Sequence, residues 1–170
     1  MNDSLSTPVR LMSEYNHWAN QQFIEYFRNQ KTEQIEAFVA GSFPSIRKTL
    51  MHIWDAQHIW YLRLFGTSPT RFLSDTWNGR FDELCAGLIK SSQDFVELVH
   101  NNDTAMLQEV VNYTTMAYGP QSSRRYEILL HVFNHSMYHR GQCVTMARAL
   151  GLSDIPGTDL IKYLRIQGNP

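Results

Sequence analysis

Cysteine is scarce in this chain, and basic runs are missing from it. The two cysteines, Cys85 and Cys143, form no CxxC pair. That excludes a disulfide framework and a cysteine-based zinc ribbon, and leaves both as buried or idle thiols. Lys plus Arg total 15 against 16 for Asp plus Glu, for a formal net charge of -1. No segment carries the dense positive charge that neutralises phosphates, so nucleic acid is excluded as a partner. Long hydrophobic runs are equally absent. The stretch HIWYLRLF is too short and too charged to span a bilayer, and MNDSLSTPVRLMSEY has neither the basic start nor the apolar region of a secretory signal. There is no internal repeat and no low-complexity tract. Serine-hydrolase elbows, phosphate-binding glycine loops and dinucleotide fingerprints are lacking as well. These absences predict a soluble cytoplasmic protein without a membrane or nucleic-acid partner.

What is present is helical periodicity. A chain of 170 residues, 43% hydrophobic and 18% charged, fits one globular domain over residues 1–170 with a core large enough to stand alone. Thr7-Pro8 reads as an N-cap followed by proline at the first helical position, and Leu11, Tyr15, Trp18, Phe23, Tyr26 and Phe27 recur at helical spacing to about Arg28. After Gly41-Ser42-Phe43-Pro44, a second apolar face runs from Ile46 to Leu64 and stops at Gly66. A third follows Asn78-Gly79, from Phe81 to Val99, closing at Asn101-Asn102. The fourth begins near Ser122-Ser123 and ends at Leu150-Gly151. The expected architecture is all-α, a four-helix bundle. Its connections, residues 29 to 43, 66 to 79 and 103 to 121, are too long for simple hairpin turns, so at least one is open to crossing over. Within the last, VVNYTTMAYG alternates as a short strand pair would. A short C-terminal helix is expected from about Thr158 to Leu164.

Chemistry concentrates in HVFNHSMYHRGQ, residues 131 to 142, which sets His131, His135 and His139 at every fourth position. Four residues advance about 40° beyond one helical turn and rise about 6 Å, so neighbours in the series can aim at one point, while the whole series drifts apart. A single metal ion would therefore take an adjacent pair from this helix and at least one ligand from elsewhere. The second helix offers His52 and His58, six positions and about 240° apart. His52 lies among apolar residues, whereas His58 follows Gln57 on the more polar flank, so His52 is the better candidate. Against this stands the plainer possibility that a lone buried histidine is a core residue satisfied by one hydrogen bond. Two polar groups at ligand spacing within an apolar stripe, as at His135 and His139, weigh toward a metal.

HVFNHSMYHRGQ resembles the HxxNHxxxHRGQ-like motif of the DinB-like family, also called the DinB/YfiT family. YNHWANQQF at Tyr15 to Phe23, LMHIWDAQHIWYLRLFG at Leu50 to Gly66, YTTMAYG and the terminal TDLIKYL extend the likeness over nearly the whole chain. The resemblance implies a four-helix bundle holding one divalent metal ion through His52, His135 and His139, with His131 outside the ligand set. It further implies a homodimer and a thiol-dependent transferase, working with a low-molecular-weight thiol such as bacillithiol, mycothiol or glutathione on a small-molecule substrate.

The chemistry suits that role. Three neutral imidazoles leave a divalent ion positively charged with an open position, able to acidify a water or a thiol. Zinc, nickel, iron and copper all accept such a site. No Glu follows His135 in the HExxH manner, so the metalloprotease base is missing. A reading from another class is a non-catalytic bundle acting in stress response, through metal binding or protein association. Arg140 and Gln142 match the motif, though an arginine beside a ligand is usually a packing or ion-pair residue. Gly141 inside a helix costs about 1 kcal/mol relative to alanine, which suggests close packing there against helix two or a partner subunit. Asp55 reads either as a carboxylate orienting a histidine or as an ordinary surface acid.

Overall fold

In the computed structural model, which describes residues 5–168, helix α1 (Ser6–Arg28) has Leu5 at its N-cap. Thr7 is therefore not the cap. Thr7 and Pro8 lie within the first turn, where the missing proline N–H leaves no intrahelical bond unmade. A single turn, α2 (Thr32–Glu36), precedes α3 (Ile46–Leu64). The Ser45 hydroxyl accepts from the Lys48 N–H at 3.3 Å to start α3, and Gly66, with φ +81°, closes it in the left-handed region. A 3-10 turn (Leu73–Asp75) leads to α4 (Phe81–His100), and α5 (Thr104–Gln108) follows. Strands β1 (Val110–Thr115) and β2 (Gly119–Arg124) pair antiparallel, Val110 opposite Arg124 and Thr115 opposite Gly119. The expected strand pair exists, but its second strand runs on past VVNYTTMAYG. Ser122 and Ser123 consequently lie in β2, and α6 (Arg125–Ala149) starts later than its sequence signal, where the Arg124 N–H donates to Glu127 at 2.8 Å. The last helix, α7 (Leu160–Ile166), sits two residues beyond its predicted bounds. No helix among the described residues is long and apolar enough to cross a membrane.

The four long helices pack in an order that differs from their order in the chain. α1 lies against α4 and α6, and α3 lies against the same two. Around the bundle the sequence is thus α1, α4, α3, α6, with α1 diagonal to α3 and α4 diagonal to α6. Two connections, 29–45 and 101–124, therefore cross between opposite corners, which explains their length. α2 lies in the first; α5 and the hairpin lie in the second.

A polar layer divides the core. Along one stripe of α1, Val9 is followed by Ser13, Asn16 and Asn20, and then by Phe23 and Phe27, all buried and at three- or four-residue spacing. The other long helices repeat the scheme. Val9, Leu64, Phe95, Val99, Leu129 and Phe133 belong to one apolar cluster, and Phe27, Ile46, Leu50, Leu84, Leu88 and Met146 belong to the other. Between them lie Gln57, Ser92, Ser136, His139 and Arg140, all buried. Gln57 is thus interior rather than on a polar flank, donating to the Ser136 hydroxyl at 3.3 Å. The Arg140 guanidinium donates through Nη1 to the side-chain oxygens of Asn16 and Asn20, both at 2.8 Å, and so ties α6 to α1.

The glycine that carries a close approach is not Gly141. A Cβ there would meet nothing within 4 Å, so neither helix two nor any other described segment packs against it. At Gly87 of α4, by contrast, a Cβ would run into the indole of Trp54, which is held edge-on against Trp77 at 5.5 Å. Gly87→Ala is expected to destabilise the protein by about 1–3 kcal/mol through overpacking, while Gly141→Ala stabilises it by up to about 1 kcal/mol through helix propensity. Denaturant unfolding of the two variants checks both signs.

Candidate metal centre

α3 supplies His52 and α6 supplies His135 and His139, and the packing of these two helices brings the three rings together. Ring centroids lie 4.9 Å apart for His52 and His135, 4.6 Å for His52 and His139, and 4.4 Å for His135 and His139. The Nε2 of His135 sits 3.2 Å from the Nε2 of His52 and 3.2 Å from the Nε2 of His139. One donor atom from each residue falls within 4.8 Å of the others. Two imidazole nitrogens on one tetrahedral ion, at metal–nitrogen distances of about 2.0–2.1 Å, stand roughly 3.3 Å apart. The donor set and its spacing thus fit a divalent cation of the kind that imidazole binds.

Electrostatics keep these rings neutral. Burial, reinforced by His139, pushes the pKa of His52 down to about 4, and burial, followed by the neighbouring His139, His52 and His131, pushes that of His135 down to about 3. Burial also lowers His139, partly opposed by its bond to Gln142. Neutral rings keep lone pairs available to a cation.

The tautomer of His139 is fixed from behind. Its Nδ1–H donates to Oε1 of Gln142 at 2.8 Å, and Nε2 of Gln142 donates on to the Ser42 hydroxyl at 3.1 Å, so the Nε2 of His139 faces inward without a proton. His135 has no such support: its Nδ1 is buried and pairs with no described group. Phe43 stacks on His52 at 4.3 Å and stands edge-on to His139 at 5.6 Å, walling the cluster on the side of the first crossing connection.

The other residues singled out in the sequence lie outside the cluster. His131 stands edge-on against Trp60, centroids 5.0 Å apart, and 5.8 Å from the His135 ring. His58 takes no part in it. Asp55 is a buried acid rather than a surface one, and its carboxylate accepts from the Ser74 N–H at 2.9 Å. It anchors the 3-10 turn and orients no histidine. Cys143 is buried, its thiol pushed up to about 12 by desolvation, so it is an inert packing group. Arg140 serves the polar layer instead of the cluster. Gln142 and Phe43 escaped the sequence reading as site residues. Gln142 had a signal, three positions beyond His139 on the same face; Phe43, in a loop, had none.

Beside the rings opens an apolar cavity of about 640 Å³, with His52 and His135 among its lining residues. Trp60 of α3, Phe72 before the 3-10 turn and Met116 and Tyr118 of the hairpin turn form much of its wall. Gly119, with φ +66°, allows the three-residue turn that presents the last two.

The model of the DinB family matches residues 1–169. Protein DinB of Bacillus subtilis (strain 168) is 26% identical over 158 residues, 89% of this chain and 90% of that protein. Among solved structures, a DinB-like protein from Bacillus cereus ATCC 10987 superposes with a TM-score of 0.66 at 18% identity, covering 85% of this chain and 91% of that one. YfiT from Bacillus subtilis, described as a probable metal-dependent hydrolase with an unusual four-helix bundle topology, gives a TM-score of 0.64 at 12% identity, over 90% of this chain and 91% of that one. These structural likenesses establish the shared fold.

In the unfolded chain His52 and His135 take up protons near pH 6.5, whereas in the folded protein they do so only near 4 and 3. Between those values the unfolded state binds more protons, so falling pH favours unfolding. Metal-free protein is expected to lose roughly 5 °C or more of melting temperature between pH 7 and pH 5, and His135→Leu to flatten that dependence. Calorimetry across the window decides; a pH-independent midpoint refutes the assignment.

Proposed function

The chain belongs to the DinB family, and from that premise we propose that it is a divalent-metal-dependent thiol S-transferase or a related hydrolase, with His52, His135 and His139 as the metal ligands. The observation that carries this reading is the convergence of three neutral imidazole nitrogens beside an apolar cavity. A closed structural site would surround its ion with four protein donors, whereas three leave a position open. The chemistry a divalent cation supplies there is Lewis acidity, which lowers the pKa of a thiol or water at the open position.

The protein's own groups have separate tasks. Gln142 holds the proton of His139 on Nδ1, so that its other nitrogen stays directed inward. Burial keeps His52 and His135 unprotonated at neutral pH. Phe43 covers the face of His52 and excludes water from one side. On the other side Trp60, Phe72, Met116 and Tyr118 offer a low-dielectric wall on which an apolar reactant is desolvated. No Asp or Glu is among the residues lining the cavity beside the rings, which favours a reaction whose nucleophile is activated by pKa lowering. A thiol answers that requirement best, because its ordinary pKa of about 8.5 needs only a small shift. The description of YfiT as a probable metal-dependent hydrolase supports the hydrolytic alternative, in which water takes the same place.

Purified protein analysed for metal is expected to hold about one divalent ion per chain. His52→Ala, His135→Ala and His139→Ala are each expected to lose it, and Gln142→Ala to weaken binding by about 10–100-fold. Loaded protein should consume a low-molecular-weight thiol in the presence of an electrophile, or cleave an ester or amide, with loss of turnover in all three histidine variants. Loading without turnover on either panel defeats the catalytic reading.

A further inference from the structure

Arg63 is an exception among the buried charges of this protein. It is only 5% exposed, yet its guanidinium forms no ion pair with any described residue and donates no hydrogen bond to one, and its Nε is sealed from solvent without a partner. Arg140, the other buried arginine, has the oxygens of Asn16 and Asn20 on its Nη1, although its Nε and Nη2 are also sealed without partners. Arg125, nearby at the start of α6, has Glu109 and the Leu64 carbonyl. A guanidinium carries five donors; here the Nε–H is sealed at a desolvation penalty, and the terminal N–H groups are left for an acceptor that no described residue supplies. Stacking on Trp60 at 4.5 Å and on Tyr113 at 5.7 Å offsets part of that penalty and fixes the plane of the group.

The surroundings of Arg63 say what is missing. It lines the same cavity as His52 and His135, and that cavity has no Asp or Glu among its lining residues. The wall between is apolar, formed by Ala56, Ile59 and Trp60 of α3 and by Met116 of the hairpin turn. His52 and Trp60 are eight residues apart on one helix, and the guanidinium lies over Trp60, so the cation stands about 12 Å along the helix axis from the imidazoles. A planar cation at one end, an apolar passage and the imidazole cluster at the other define an elongated site with two polar ends.

We infer that the cavity binds an elongated carboxylate, its anionic end paired with Arg63, its apolar body on Trp60 and Met116, and its reactive end at the imidazoles. The inference rests on the proposed function for what happens at that reactive end and extends it by naming the substrate class. Bidentate pairing of guanidinium with carboxylate supplies orientation as well as affinity. Arg63 is in these terms a specificity residue: it touches the substrate about 12 Å from the reacting atoms.

The test uses the metal-free full chain, so that it does not depend on catalysis. Octanoate, octanol, octylamine and butanoate are titrated calorimetrically. Octanoate is expected to bind at least about tenfold tighter than octanol or octylamine, in line with a charge-assisted pair, and Arg63→Gln to abolish that preference. Ala56→Leu narrows the passage between the two ends without touching the guanidinium; it is expected to weaken octanoate while leaving butanoate unchanged, and it serves also if Arg63→Gln proves unfolded by circular dichroism. Equal binding of octanoate and octanol, a preference that survives in Arg63→Gln, or octanoate binding unaffected by Ala56→Leu each overturns the inference. Metal content measured on the protein as purified, before the ion is stripped for the titrations, separates the two ideas: a carboxylate preference in protein that purifies without metal and cannot be loaded removes the proposed function and leaves the receptor, and metal loading without the preference does the reverse.

Discussion

The structure depends on how a helical bundle accommodates polar groups at its middle. One imidazole, a guanidinium and several amides and hydroxyls occupy one level of the interior, with the half-buried His52 and His135 at its edge and an apolar cluster on each side. Such groups are tolerated only where partners satisfy them. Asn16 and Asn20 do this for Nη1 of Arg140, Ser136 for Nε2 of Gln57, and Gln142 for Nδ1 of His139, while Nε and Nη2 of Arg140 and Oε1 of Gln57 stay unpaired. The imidazoles are left with three ring nitrogens turned toward one another and a buried nitrogen of His135 without a partner. That shortfall is what makes the cluster receptive to a cation, and the two apolar clusters supply the stability that permits it.

Much of this was legible in the sequence because helical periodicity is a strong signal. The long helices, the glycine stop after Leu64 and the stripe of His135 and His139 follow from spacing, and the lengths of the connections pointed to a crossover. The order of the helices around the bundle did not, since spacing describes one helix at a time and says nothing of which corner it occupies. α2, α5 and the 3-10 turn are too short to set up a period and were absorbed into connections. The starts of α1 and α6 were misread because proline and serine mark several kinds of boundary. Gly141 and Gly87 show the same limit: both are helical glycines, and only the position of Trp54 distinguishes the one that has a neighbour from the one that does not.

The candidate site divides along the same line. Residue type and spacing narrowed the ligands to an adjacent pair on the last long helix with His52 as the better partner, and the likeness to a family singled out His135 and His139. The cavity beside them could not, because its wall is drawn from three places: α3, the approach to the 3-10 turn, and the tip of the hairpin. Asp55 links two of these by holding Ser74 in place from α3. Arg63 lay in a stretch that reads as an ordinary helix end, where a basic residue complements the helix dipole. Only its burial and its lack of an acceptor mark it as something else.

The diagonal placement of α1 and α3 has a kinetic side. His52 and His135 are separated by 83 positions, and the helix carrying His135 and His139 is the last of the four long ones to emerge during synthesis. Closing so long a loop is entropically slow, and contacts of this range form late in folding. A nascent or truncated chain ending before α6 holds only one of the three clustered histidines, His52, so capture of an ion by the cluster would follow assembly of the bundle instead of guiding it. Occupancy by a cation would then report that a given molecule has finished folding.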